Sequence, residues 1–280
     1  MIESFRYKDI NWDRNRIMLV PAEPPHKQVH LDPEECKQLI KIRKVSFIRW
    51  TTGWDLEKPT AFWYVIKDAY KGIDEFSRNT RSKIRRGLKR NTIRQITRKE
   101  LKEQGFDVYK AAFSNYNTLL DPLNKKEFYE RIDTLGDDIY DLWGVYRGEQ
   151  LIAYTEIRKL GKVRNTSITK FHPGYLKDYP SYALFYTLID YYLSSQEVSY
   201  ITNGTRSIFH KTNIQDFLIK KFNYRRAYCM LHIYYKPSVK MMINWLYPFM
   251  PLISKIPLEI FQKLAMLLTQ EKFRRQCNEK

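Results

Sequence analysis

The apolar positions change their spacing along the chain, and each change marks an element. "VSFIRW" (45–50) and "AFWYVI" (61–66) are dense in aromatic and β-branched residues, which predicts two strands. The stretch between them, "TTGWDLEKP", reads as turn. From 72 to 90, Ile73, Phe76, Thr80, Ile84 and Leu88 recur at steps of three and four, which predicts a helix with a narrow buried stripe. Arg78, Arg81, Arg85 and Lys89 follow the same steps and share another face. Residues 92–97 fit a short strand. Residues 99–119 and 125–135 fit two helices joined by "LLDPLN".

From residue 138 the pattern changes. "DIYDLWGVYRGEQLIAYTEIRKLGKVRNTSITKF" reads as a three-strand meander with turns at "RGEQ" and "KLGK". A loop, "HPGYLKDYP", leads to an apolar helix at 181–194. A strand "VSYIT", the loop "NGTRSIFHKTN" (203–213), a helix at 214–221 and a strand "YRRAYCMLHIYYK" follow. The order β-β-β-α-β-α-β predicts an α/β fold with a mixed sheet. From Pro237 the pattern changes again. "MMINWLYPFMPLIS" is a 14-residue, almost uncharged stretch, and "PLEIFQKLAMLLTQEKFRR" is an amphipathic helix with Pro257 in its first turn. Fourteen residues are too few to span a bilayer. The tail is either an arm packed on the protein's own core or an interfacial anchor on an anionic membrane, since Trp and Tyr sit in it between basic flanks.

Composition narrows the classes. Apolar residues make up 43% of the 280 and aromatics 15%, so the chain is globular and not disordered. Glycine is scarce, at 10 residues, which argues against a Gly-rich phosphate loop. The formal net charge is +18, which calls for an anionic partner: a phosphate-bearing ligand, nucleic acid or an anionic membrane. The charge is most concentrated in "SRNTRSKIRRGLKR" (77–90), where seven of fourteen residues are Lys or Arg and none is acidic. Such a face is either simply solvated or holds an anion. Arginine matches phosphate bidentately, so Arg81, Arg85, Arg86 and Lys89 are expected to face phosphate. Three widely spaced cysteines without a CxxC predict neither a disulfide framework nor a zinc site, and no metal is expected. The first residues lack an apolar signal segment, and a cytoplasmic protein is expected, one that the tail would hold at the inner face of the membrane.

The segment 139–235, with its short helix ending in "FLIKKFNYRR", resembles the GCN5-related N-acetyltransferase superfamily. With the helix pair at 99–135 and the R-x-x-I-R-x-x-x-K pattern of Arg81, Ile84, Arg85 and Lys89, the chain is most similar to the Fem-type branch, from about residue 60 to 235. That branch holds peptidoglycan aminoacyltransferases and related envelope acyltransferases. The resemblance implies tandem acetyltransferase-like halves, the N-terminal one degenerate. The domains then run 1–98, 99–236 and 237–280, the last a helical tail. It also implies acyl transfer from acyl-CoA, with acetyl-CoA first among donors, to an amino or hydroxyl group of a sugar or envelope precursor. The alternatives are an aminoacyl-tRNA-dependent transferase, a plain RNA-binding module and a catalytically inert scaffold at a membrane.

Acyl transfer needs a held acceptor, donors facing the oxyanion, and a proton acceptor. Candidates for the last are Glu156, on the same strand face as Tyr154, and His172 and His210 in loops. The donor phosphates are expected at the start of the helix at 181–194, near Gly174, Lys177, Ser181 and Tyr182. The superfamily's Q/R-x-x-G-x-G/A pattern is absent there, and its last-helix Tyr position is Ile219, so no catalytic acid transfers to it. Gly204, Thr205, Arg206, Ser207 and Lys211 are candidate substrate contacts in a loop at a strand end, where open α/β sheets bind ligands. Asn213 is either a further contact or a helix cap. Tyr116, Asn117 and Tyr154 are candidates for the acceptor cleft.

Overall fold

A computed structural model describes residues 3–115, 121–195, 197–208 and 213–278. The chain groups into two compact units. Unit one comprises residues 1–64, 205–211 and 226–280, and unit two comprises 65–204 and 212–225.

Unit one begins with an antiparallel meander, β1 (Glu3–Tyr7), β2 (Ile10–Asn15) and β3 (Met18–Pro21). None of these was visible in the apolar pattern. Helix α1 (Pro33–Arg43) follows, and β4 (Phe47–Leu56) then pairs parallel to β3 through Met18↔Phe47 and Leu19↔Ile48. The stretch expected to be turn after residue 50 is instead strand. It runs on to Leu56 with left-handed backbone at Gly53 (φ 66°) and Asp55 (φ 54°). The strand β5 (Phe62–Lys67) starts in unit one and ends in unit two. Late in the chain β11 (Arg225–Tyr235) pairs antiparallel with β4, and the helices α7 (Pro237–Leu246), α8 (Met250–Ile253) and α9 (Glu259–Asn278) complete the unit. Their core joins Met18, Phe47, Tyr235, Ile243, Ile253 and Leu268. The tail therefore packs one of its faces on the protein.

Unit two opens with a 3₁₀ turn at Ile73–Glu75 and then α2 (Arg78–Arg90), in place of the single helix expected from residue 72. Gly72 sits at φ 89° before the turn, and Lys67 Nζ donates to Glu75 at 2.6 Å inside it. Ser77 caps α2 by accepting from the Thr80 N–H. The buried side of α2 is Phe76, Thr80, Ile84 and Gly87, whereas Leu88 is 39% exposed. The strand β6 (Thr92–Gln95) and helices α3 (Arg98–Phe113) and α4 (Lys125–Asp133) come next, both helices starting on capping boxes, Thr97/Glu100 and Asn124/Glu127.

The meander is β7 (Tyr140–Arg147), β8 (Gln150–Leu160) and β9 (Val163–Phe171), followed by a 3₁₀ turn at Pro173–Asp178 and α5 (Pro180–Ser194). The strand β10 (Tyr200–Thr205) pairs parallel with β9, and α6 (Ile214–Phe222) precedes β11. Strand neighbours in this unit run β5-β10-β9-β8-β7-β6. The fold is a mixed α/β fold, as expected. Helices α3 and α4 cover the sheet through Leu101, Val108, Phe128 and Ile132 against Leu142, Leu151 and Tyr154.

Candidate functional site

Two features of unit two coincide at one end of the sheet. The first is a gap. β9 and β10 pair only through Val163↔Tyr200, Arg164↔Ile201 and Asn165↔Thr202. Beyond these pairs both strands continue unpaired with each other, β9 to Phe171 and β10 to Thr205. The second is the start of α5, which β9 reaches through its 3₁₀ turn. Tyr179 precedes α5 in the left-handed region (φ 56°) and provides no side-chain cap. Pro180 has no N–H, and the first turn of a helix cannot bond the N–H groups of Ser181 and Tyr182 internally, so these point outward. No acidic residue lies in that first turn.

The α2 helix brings cations to this point, and Gly87 is why it can. A Cβ at residue 87 would lie 2.6 Å from the Tyr179 carbonyl oxygen and 3.1 Å from Ala183 Cβ, so only glycine permits this approach. Asn91 fixes the end of α2 by donating from Nδ2 to the Gly87 carbonyl (2.8 Å) and the Asp178 carbonyl (2.9 Å). Against α5, Lys83 Nζ lies 5.3 Å above the Tyr182 ring, and the Arg86 guanidinium lies 5.9 Å from the Tyr179 ring, with Nη1 3.4 Å from its hydroxyl. Arg90 Nη1 bonds Asp178 (2.9 Å) and the Lys177 carbonyl (3.2 Å). Of the four cations expected at phosphate, only Arg86 stands in this row. Arg81 is ion-paired to Asp74, and Arg85 and Lys89 are exposed with no ion-pair partner among the described residues. Lys83 and Arg90 were missed. The signal for them was Gly87, a residue that costs helix stability unless close approach repays it.

The face of β8 and β9 toward α3 and α4 carries the second polar group. Alternation places Tyr154, Glu156, Ile168 and Lys170 on one side, with Tyr154 opposite Lys170 and Glu156 opposite Ile168. A register shift follows Glu156, as a bulge that re-aims a side chain would give. Glu156 is buried and accepts from both guanidinium nitrogens of Arg131, one bond being 3.0 Å. Lys170 lies on the part of β9 that does not pair with β10, 5.7 Å from the Tyr109 ring. Burial, and next the Arg131 charge, push its ammonium down to about 8. Lys170 was not among the expected residues, although the alternation that selects Glu156 selects it too. Tyr154 is buried in the core under α3 and α4.

The other expected residues are distributed as follows. His172 Nδ1 accepts from the Gly174 N–H at 3.1 Å and caps the 3₁₀ turn. Lys177 is exposed. Gly204 has φ 71°, and its N–H donates to Thr202 Oγ1 at 3.1 Å. Thr205 and Ser207 are part-exposed to exposed at the end of β10. The Arg206 guanidinium lies 3.8 Å from the Phe273 ring and 4.4 Å from the Trp63 ring, and donates to the Ala61 carbonyl at 2.7 Å, all within unit one. Asn213 stands at the N-cap of α6 without a capping bond from its side chain. Tyr116, Asn117, His210 and Lys211 lie outside the described residues. No group of His, Cys, Asp or Glu among the described residues is arranged to hold a metal ion.

Solved structures with the same architecture decide the fold. FemX superposes with TM-score 0.57 at 11% identity, over 86% of this chain and 90% of that one. The C-terminal domain of a putative lysylphosphatidylglycerol synthetase from Agrobacterium fabrum gives 0.54 at 10% identity over 88% of each chain. The chain has the fold of FemX and of this synthetase domain. L-PGS from Bacillus licheniformis adds a third likeness, 0.50 at 12% identity over 86% of this chain and 87% of that one. No family model and no curated protein matches the sequence. In the Fem-type fold seen here, the gap between β9 and β10, the open start of α5 and the Lys83–Arg86–Arg90 row all belong to unit two.

Proposed function

We propose that the protein is a transferase of Fem type, which moves an acyl group from a phosphate-bearing donor to an amine or hydroxyl. The observation that carries this reading is the gap between β9 and β10 beside an α5 start that lacks its own cap and has cations next to it. Acyl-CoA fits the donor class. Its phosphates would be held by the Ser181 and Tyr182 N–H groups with Lys83 and Arg86, and a helix start with such neighbours favours anions. The thioester supplies the activated acyl group. The exposed cations Arg85 and Lys89 flank the same helix and extend the positive field. The acceptor is an amino or hydroxyl group of a sugar or envelope precursor, met in the cytoplasm or at the inner face of a membrane.

Lys170 is the assigned proton acceptor. With its ammonium near 8, a useful fraction is neutral around neutral pH, and Glu156 held by Arg131 keeps a carboxylate beside it. The turnover rate is then expected to rise with pH through about 8, and Lys170→Met is expected to abolish that rise. The sign for stability agrees. A lowered lysine pKa disfavours the folded state below about 8, and this penalty is relieved as pH rises from there toward the ordinary lysine range.

A second donor, aminoacyl-tRNA, is favoured by the +18 charge and by the missing Gly-rich turn. One similar structure is a domain of a putative lysylphosphatidylglycerol synthetase, a name that denotes an aminoacyl ester of a lipid. Thermal unfolding with acetyl-CoA, longer acyl-CoAs, free CoA and aminoacyl-tRNA separates the two. A ligand at about 100 times its dissociation constant stabilises by about 2.7 kcal/mol, a shift of several degrees. A shift with an acyl-CoA fixes the donor. A shift with aminoacyl-tRNA alone moves the donor to the second class, and no shift with any of them overturns the transferase reading.

A further inference from the structure

The arm from Lys236 to Ile260 carries an apolar face that unit one does not bury. Along α7, the 3₁₀ turn at Tyr247–Phe249 and α8, one side packs inward: Ile243 and Ile253 are buried, with Val239, Leu246 and Met250 against the same core. The other side repeats Met241, Trp245, Phe249 and Leu252 at steps of four, four and three. All four are exposed, Trp245 to 76%. Leu258 and Ile260 continue the exposed apolar surface at the start of α9. Seven of the thirteen large apolar side chains exposed among the described residues fall between 241 and 260, so this is a patch and not scattered exposure. A helix that is apolar on all sides normally has no side in water.

Charge selects the occupant. From Lys236 to Leu258 there is no Asp or Glu. Lys236, Lys240 and Lys255 are exposed and have no ion-pair partner among the described residues. Lys236 and Lys240 form a line one residue, or about 100°, around α7 from the Met241–Trp245 line. A second copy of the chain would match apolar face to apolar face but would set these lysines against themselves, because a two-fold interface is self-complementary. An anionic surface matches both parts. No helix among the described residues is long and apolar enough to cross a membrane.

We propose that this face rests in the surface of an anionic phospholipid bilayer. The Met241–Trp245–Phe249–Leu252 stripe lies at the acyl boundary and the lysines at the lipid phosphates. The docking holds whatever group is transferred, so its failure leaves the transferase reading standing.

Flotation of the full chain with phosphatidylcholine vesicles, with and without phosphatidylglycerol, tests it. The protein is expected to float with the anionic vesicles. Met241→Ser/Trp245→Ser/Phe249→Ser is expected to lower the partition coefficient about tenfold or more, since about 0.8 kcal/mol is lost per unburied methylene. Lys240→Glu is expected to lower it about fivefold or more on anionic vesicles only. The changed residues are exposed, so unchanged melting temperatures confirm intact folds. If the triple variant does not fold, Trp245→Glu alone carries the test. Absence of flotation, or flotation equal in wild type and variants, overturns the proposal. A concentration-dependent dimer without lipid, abolished by the apolar variants and accompanied by no vesicle binding, assigns the face to a second copy instead.

Discussion

The chain uses one local plan twice, and the helices that follow the two meanders begin differently. In unit one, β1–β3 lead to α1 and then to β4 parallel to β3. In unit two, β7–β9 lead to α5 and then to β10 parallel to β9. At α1, Asp32 accepts from the Glu34 and Glu35 N–H groups, each at 2.8 Å, and Glu35 returns a bond to the Asp32 N–H at 2.9 Å. Two glutamates lie in the first turn. The chain has filled the positive end of α1 with its own carboxylates, and an external anion would be repelled there. At α5 the cap is missing, the first turn has no acid, and cations stand near the ring of the preceding Tyr179 and that of Tyr182. The same scaffold thus has a capped, acidic helix start in one half and an uncapped start beside cations in the other.

The most disruptive way to break this comparison is Gly87→Ala. The new Cβ would meet the Tyr179 backbone at 2.6 Å, and a backbone cannot turn aside as a side chain can. Overpacking of this kind costs about 2 kcal/mol, and α2 would have to move its cations away from α5. Chemical denaturation is expected to show the loss of stability, and titration with CoA the loss of affinity. A variant as stable as wild type that binds as well would show that α5 does not need α2 so close.

Gly87 also shows what the sequence conceals. The steps of three and four that predict α2 are correct, but the stripe ends on a residue with no side chain, while Leu88, which looks like its continuation, faces solvent. Of the cations expected at phosphate, Arg81, Arg85, Arg86 and Lys89, Arg86 lies beside the Tyr179 ring, and Lys83, not among them, lies over the Tyr182 ring. The meander in unit two was legible because its first two strands are dense, buried apolar and aromatic runs and its turns carry Gly148 and Gly161. β1 and β2 were not, because "ESFRY" and "INWDRN" are short, interrupted by charged residues and, in β1, largely exposed. Arg206 illustrates another limit. Its partners Trp63 and Phe273 are remote in sequence, and unit one is assembled from three separate stretches that no linear reading connects.

The two cation rows on α2 sharpen the comparison at a smaller scale. Lys83→Ala/Arg86→Ala is expected to weaken anion binding about tenfold or more, equivalent to about 1.4 kcal/mol. Arg85→Ala/Lys89→Ala is expected to change it less than about threefold, since exposed charges act through screened, longer-range fields. Neither pair should alter stability by more than about 0.5 kcal/mol, because neither is buried. Isothermal titration with CoA checks the first quantity and denaturant unfolding the second. Equal losses from both pairs would mean that the anion sees only net charge, and that the open start of α5 is incidental.

The smallest effect tests the capped half. Asp32→Ala removes the cap of α1 and is expected to cost about 1 kcal/mol of stability, without any gain in anion affinity. Glu34 and Glu35 remain in the first turn and keep its field negative. Replacing all three, Asp32→Ala with Glu34→Gln and Glu35→Gln, and adding Lys8→Ala so that the loss of Glu35 does not free its paired cation, leaves the helix start bare without a released charge beside it. Stability should fall further, while affinity for phosphate or CoA, measured in a Lys83→Ala/Arg86→Ala background, stays at the level of that background. If the stripped α1 did begin to bind anions, an uncapped helix start would be sufficient by itself. The cations of α2 would then be accessories, and the difference between the halves would come down to a single cap.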